Sequence, residues 1–198
     1  MKFRMIAVIA VIGIAGLGVM TIARYRHAPA PMATDSSLST TVFDVQPDML
    51  LAAGAAPMAP SFAEGSWINS DALTVEKLRG RVVLVEFWTF GCYNCRNTLP
   101  SVKNWDTKYR DRGLTIVGVH TPETDSEYSI DNVRREVPAL GIKYPVVTDN
   151  DYKTWKAYNV EAWPTLFVID KQGRIRWLHV GEGSYEETES VIKTLLAE

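Results

Sequence analysis

Two cysteines, Cys92 and Cys95, are the only ones in a chain of 198 residues, and they stand two residues apart in Cys92-Tyr93-Asn94-Cys95. A pair is too few for a disulfide-dense scaffold, an all-cysteine zinc site or a self-ligated iron–sulfur cluster. Its setting suits thiol–disulfide chemistry. The pair follows an apolar run, Val82–Trp88 (VVLVEFW), and opens a helical pattern from Cys92 to Arg112 in which Leu99, Val102, Trp105 and Tyr109 recur at three- and four-residue spacing. A sulfur at a helix start lies near unpaired backbone N–H groups and the positive end of the helix dipole, and both favour the thiolate. Cys92 is therefore the expected nucleophile. Cys95, one turn into the helix and less exposed, is placed to attack a mixed disulfide formed at Cys92. A bridge closing so small a loop adds little chain-entropy stabilisation, which weakens a purely structural reading. Half of a metal site would need further ligands.

The elements that must hold this pair can be read around it. Val82–Trp88 is continuous apart from one acid, Glu86, the pattern of a strand covered on both faces. Pro100 falls inside the helix and should kink it. Leu114–His120 reads as a second buried strand, Ser126 to Leu140 as a polar helical stretch, Tyr144–Thr148 as a short strand and Asp151–Tyr158 as a short helix. Thr165–Asp170 and Ile175–Val180 are strands joined by the hairpin signal Lys171-Gln172-Gly173-Arg174. Ser184 with Glu187 three residues later reads as a capping box for a last helix reaching about Ala197. The order predicts an α/β domain over residues 62–198, with a mixed central β-sheet flanked by helices on both faces.

The first sixty residues are of another kind. Met5 to Ala23 is a run of 19 residues without a charge, close to the ~20 needed to cross a bilayer as a helix. It exceeds the apolar core of a secretory signal, and the nearby Ala28-Pro29-Ala30 is followed by Pro31, a poor cleavage context. Residues 1–26 are read as a single membrane anchor, with a cleaved signal peptide as the alternative. Lys2 and Arg4 before the run and Arg24 and Arg26 after it leave orientation undecided. Residues 27–61, rich in Ala, Pro, Met, Ser and Thr, read as a flexible linker, with room for a short strand or helix around Thr41–Leu51. Beyond residue 26 there are 17 basic against 23 acidic side chains, net −6, so no basic field draws nucleic acid. No Gly-rich dinucleotide fingerprint is present, and no cofactor beyond the cysteine pair is expected.

The segment Phe87-Trp88-Thr89-Phe90-Gly91-Cys92-Tyr93-Asn94-Cys95 resembles the active site of the thioredoxin-like superfamily. Glu86, six residues before the first cysteine, and Pro100, five after the second, match that family's buried acid and helix-kinking proline. Trp163-Pro164-Thr165 resembles its cis-proline loop. Ser66-Trp67-Ile68-Asn69, the stretch from Leu73-Thr74 through Gly80, and the Ser126–Leu140 insertion are similar to the redoxin/TlpA branch, which includes membrane-anchored thiol–disulfide oxidoreductases of bacteria. The pattern Phe-Trp-Thr-x-x-Cys-x-Asn-Cys and a Trp before the loop proline are shared with the thioredoxin-like domain of DipZ-type proteins. Three departures stand out. Tyr-Asn separates the cysteines in place of Gly-Pro, Gly91 replaces the usual Trp, and Thr98 stands where several cytochrome-maturation reductases carry Glu. A role in cytochrome c maturation is therefore no better a fit than general thiol reduction.

The resemblance implies a membrane-tethered enzyme on the periplasmic side of the inner membrane that reduces protein disulfides. Cys92 would attack, Cys95 would resolve and Glu86 would take the proton, where the residues alone also allow Glu86 a salt bridge to Lys or Arg. Trp163 and Pro164, with Trp88, Tyr93 and Asn94 beside the sulfurs, would contact substrate; Trp163 could equally pack on Trp88. Such a reductase needs recharging, which implies a membrane electron donor of the DsbD/CcdA type. Two other readings are a disulfide donor or isomerase, set apart by its reduction potential, and a Cu(I)-binding chaperone using Cys92, Cys95 and a histidine such as His120.

Overall fold

Seven residues with almost no polar face need cover on both sides, and Val82–Trp88 receives it. In the computed structural model, which describes residues 41–198, this run is β2, with every residue buried. The elements in chain order are β1 (Trp67–Ile68), β2 (Val82–Trp88), α1 (Tyr93–Tyr109), β3 (Leu114–His120), α2 (Ile130–Ala139), β4 (Val146–Thr148), α3 (Lys153–Ala157), β5 (Thr165–Ile169), β6 (Ile175–Val180) and α4 (Tyr185–Ala197). The strands form one sheet in the order β1-β4-β3-β2-β5-β6. β2 runs parallel to β3, with Val82 opposite Leu114 and Trp88 opposite His120, and antiparallel to β5. The α/β sandwich with a mixed sheet expected from the element order is the one observed.

The period of two along β2 divides the core. Leu84 and Trp88 face a layer with Cys95, Leu99 and Trp105 of α1 and Ile192 of α4. Val83, Val85 and Phe87 face the other side, with Tyr158, Phe167 and Leu78. Glu86 has the parity of Leu84 and Trp88, so the one acid of β2 points into the layer that holds Cys95. α1 contains Pro100 and ends in a 3₁₀ turn, Arg110–Arg112, closed by Gly113 at φ 106°. The polar stretch after β3 divides into a 3₁₀ turn, Asp125–Tyr128, and α2.

Two expectations are corrected. Ser184 precedes α4 but makes no side-chain cap bond, because it sits at φ 43° and ψ 36° instead of the extended conformation that aims a cap hydroxyl at the first turn. The stretch 27–61 is not a free linker throughout, because residues 41–61 lie along β6. Asp48 and Leu51 donate their N–H groups to Leu178 and Arg176 (2.7 and 2.9 Å), Ala59 donates to Gly173 (2.9 Å), and Ile175 donates back to Pro57 (2.8 Å). Arg176 Nε bonds the Leu51 carbonyl at 2.6 Å, and His179 Nδ1 lies 2.7 Å from Asp48. This strap satisfies the outer edge of β6, the hazard of any exposed edge strand. Residues 1–26, read as the anchor, and 27–40 lie outside the described residues. Among the described residues, no helix is long and apolar enough to cross a membrane.

Candidate active site

β2 ends at Trp88, and the chain turns through Thr89, Phe90 and Gly91 into α1, which leaves Cys92 as the helix N-cap in an extended conformation (φ −69°, ψ 120°). Its Sγ accepts the backbone N–H of Cys95 at 3.1 Å. That is the contact the helix-start argument requires, and it strengthens when the sulfur carries charge. Cys92 and Cys95 are joined by a disulfide with their Cα atoms 5.3 Å apart. Cys92 is half-buried and Cys95 fully buried, so an incoming thiol or disulfide meets Cys92.

Glu86 is fully buried. Its partner is Tyr144, whose hydroxyl donates to Oε2 at 2.8 Å, in place of the lysine or arginine that a salt bridge would need; Oε1 has no partner among the described residues. Burial pushes the Glu86 carboxyl up to about 7, with the Tyr144 hydrogen bond pulling the other way. Tyr144 is itself raised well above its ordinary value by burial and by the carboxylate beside it. Gly118, opposite Glu86 in the β2–β3 ladder, makes the space: a Cβ there would lie 2.8 Å from Trp88 Nε1 and 3.3 Å from the Tyr144 ring.

The Trp163–Pro164 peptide bond is cis. Gly181 N–H donates to the Pro164 carbonyl at 2.7 Å, and Thr165 Oγ donates to Ala162 at 2.7 Å, tying the loop to β6 and to itself. Trp163 and Cys92 pack at the margin of one apolar layer, the layer that contains Cys95 and Trp88. The Trp163 ring lies 4.3 Å from that of Trp155, so its aromatic partner is Trp155, not Trp88. Tyr93, 76% exposed, and the exposed Asn94 are open to a partner. Trp88 is not: it is completely buried under the site, which corrects its reading as a substrate contact. Thr98 is buried, and its hydroxyl donates to the Asn94 carbonyl at 3.0 Å.

Residue patterns alone missed a polar group on the other side of the loop. Glu127 is buried and accepts three backbone N–H groups, from Glu123 and Thr124 on Oε2 (2.7 and 2.8 Å) and from Gly91 on Oε1 (2.8 Å). Burial would raise its pKa, but hydrogen bonds from the Thr89 hydroxyl and these N–H groups hold it below the usual carboxylate range. Thr124 followed by Glu127 is a capping-box spacing visible in the sequence, whereas the reach to Gly91 exists only once the chain is folded. His120, the histidine of the copper reading, lies between the rings of Trp88 and Phe90, with Nε2 3.1 Å from Thr89 Oγ. Burial pushes it down to about 4, against the pull of Glu127, so it is neutral. Among the described residues, no three His, Cys, Asp or Glu side chains are grouped so as to hold a metal ion.

Several proteins that this chain resembles are named for thiol–disulfide chemistry. The chain is 41% identical over 133 residues to the protein DipZ of Mycobacterium tuberculosis, a stretch that is 66% of this chain and 19% of DipZ, so the chain spans about a fifth of that relative's length. It is 26% identical over 142 residues to the thiol-disulfide oxidoreductase YkuV of Bacillus subtilis, covering 72% of this chain and 95% of YkuV. The crystal structure of a thiol-disulfide isomerase from Corynebacterium glutamicum superposes with a TM-score of 0.64 at 26% identity, over 71% of this chain and 97% of that one. The Redoxin family model matches residues 53–196, a span that takes in both cysteines, Glu86 and the cis Trp163–Pro164 bond, and by that match the chain belongs to the redoxin family.

Proposed function

We propose that the chain is a thiol–disulfide oxidoreductase that reduces protein disulfides, tethered by residues 1–26 and facing the periplasm. The observation that carries this reading is the pairing of a reachable sulfur at a helix start with a buried sulfur in the layer into which the buried Glu86 points. In the reduced protein the Cys92 thiolate attacks one sulfur of a client disulfide, and the other client sulfur leaves as a thiolate. Cys95 then loses its proton and attacks the Cys92 sulfur, which releases the second client thiolate and leaves the Cys92–Cys95 disulfide. Two electrons have passed to the client. Glu86, titrating near neutrality on the Cys95 side, is the acceptor for the Cys95 proton. The cis-Pro164 loop, Trp163, Tyr93 and Asn94 form the docking face. Turnover requires two electrons from outside the chain, and a membrane donor of the DsbD/CcdA type would supply them. Donation of the disulfide, or isomerisation, is the second reading, favoured by what the Corynebacterium glutamicum structure is called.

The deciding measurement is the reduction potential of the Cys92–Cys95 pair in the full-length protein in detergent solution, equilibrated against glutathione. A value near or below about −230 mV is expected for a reductase. A value near about −120 mV would make the protein a disulfide donor.

A further inference from the structure

Glu127 divides its two oxygens between two tasks. Oε2 closes the 3₁₀ turn Asp125–Tyr128 by accepting from Glu123 and Thr124, as a capping carboxylate does. Oε1 is not needed for that turn and reaches instead across to Gly91, the residue before the nucleophile. The approach is close enough that a Cβ on Gly91 would press on Oε1, and Gly91 stands where thioredoxin-like chains usually carry Trp. A buried side chain from the insertion after β3 thus grips the backbone that presents Cys92.

We propose that Glu127 is a positioning residue of the redox centre: its carboxylate fixes the 89–91 loop through the Gly91 N–H, and its negative charge weighs against the Cys92 thiolate. The inference rests on the dithiol chemistry proposed above but not on its direction. An anion that disfavours the thiolate stabilises the disulfide relative to the dithiol, which makes the reduced pair a stronger electron donor. The Cys95 N–H and the start of α1 pull the other way, so the thiolate is set by a balance between them. The other charged or titratable groups around the loop are unchanged by a substitution at Glu127, among them the exposed Arg96 of α1, whose backbone N–H bonds the Cys92 carbonyl at 3.2 Å. His120 is neutral behind Phe90, Glu86 with Tyr144 lies on the Cys95 side, and Glu182 is held by Asn97 Nδ2 at 3.0 Å.

The test uses full-length protein, native and with Glu127→Gln or Glu127→Asp, each checked for cooperative melting. The Cys92 thiol is titrated by its alkylation rate against pH. The equilibrium of the disulfide plus two glutathione thiols with the dithiol plus oxidised glutathione is measured in parallel. E127Q should lower the Cys92 pKa by roughly half a unit to one unit, as expected for removing a charge held on the neighbouring residue in a partly wet site. Measured at a pH above the Cys92 pKa found by the alkylation titration, the glutathione equilibrium should then move roughly three- to tenfold toward the dithiol, and E127D, which keeps the charge, should stay nearer the native values. If folded E127Q matches the native protein within twofold in both readouts, or if E127Q and E127D shift alike, the proposal is overturned. Should E127Q fail to melt cooperatively, hydrogen exchange of the Gly91 amide decides: slowed exchange in the native protein that E127D loses supports the grip, and fast exchange in the native protein overturns it. The native potential tests the direction of electron flow, and only the difference between native and variant tests Glu127.

Discussion

At neutral pH the Glu86 carboxyl is part protonated, because burial has raised its folded pKa to about 7 while the ordinary value is 4.5. Between those two values the folded chain holds a proton that the unfolded chain has released, so stability falls as pH rises through this window. Above it the loss amounts to roughly 3 kcal/mol. Glu86→Gln keeps the shape and removes the titration. Thermal melts should show E86Q close to native near about pH 5 and more stable by that order near about pH 8. The same variant should slow resolution by Cys95 and flatten its pH dependence, since the group titrating near neutrality has gone. Native-like stability curves for E86Q at both pH values would show that Glu86 is not ionising in the fold. Glu127 is the opposite case, a carboxyl kept charged by the Thr89 hydroxyl and three N–H donors, so the two sides of one disulfide carry acids pushed in opposite directions.

Each element contributes a placement that a single residue could not. β2 delivers the chain to the top of the sheet, α1 turns the two sulfurs to different depths, and the strap 41–61 covers β6, whose neighbour β5 begins at the cis-proline loop. The strap makes four backbone hydrogen bonds to the 173–178 segment and buries Val45 and Ala59. At about 0.5–1.5 kcal/mol for each bond plus the apolar area, its removal should cost roughly 3–5 kcal/mol. A chain truncated to begin at residue 62 should therefore melt well below one beginning at residue 41, and should self-associate through the bared β6 edge in sedimentation. Equal melting of the two would mean that the strap only rests on the surface. This element was illegible in the sequence for a physical reason: its ties are main-chain groups, and a stretch of Ala, Pro and Met looks the same whether or not a neighbouring edge is open to it. β2, β3, β5 and β6 were legible because their own side chains must be buried, and Cys92 and Cys95 because their spacing against the strand end carries the chemistry. Tyr144 and Glu127 were not, since each owes its role to a partner 58 or 36 residues away that only the folded sheet brings near.

For the molecule as a whole, the proposed tether makes two properties testable together, the side of the membrane on which the pair works and the state in which it is kept there. The two are linked. In the cytosol thiols are held reduced by soluble systems, so a tethered reductase has distinctive use only where disulfides persist, and there it stays reduced only if electrons reach it through the membrane. Cys92 and Cys95 are the only cysteines of the chain, and Cys95 is buried, so a membrane-impermeant maleimide applied to intact spheroplasts reports almost entirely on Cys92. The expected result is labelling without added reductant, placing the domain outside and the pair in its dithiol form at steady state. Labelling that needs a reductant would keep the domain outside but make it a stored disulfide, the state of a donor. Labelling only after lysis would put the domain on the inner face and remove the need for a membrane electron supply. Loss of the proposed donor should convert the first pattern into the second, because the disulfide left once a client has been reduced must receive two electrons before it is a dithiol again.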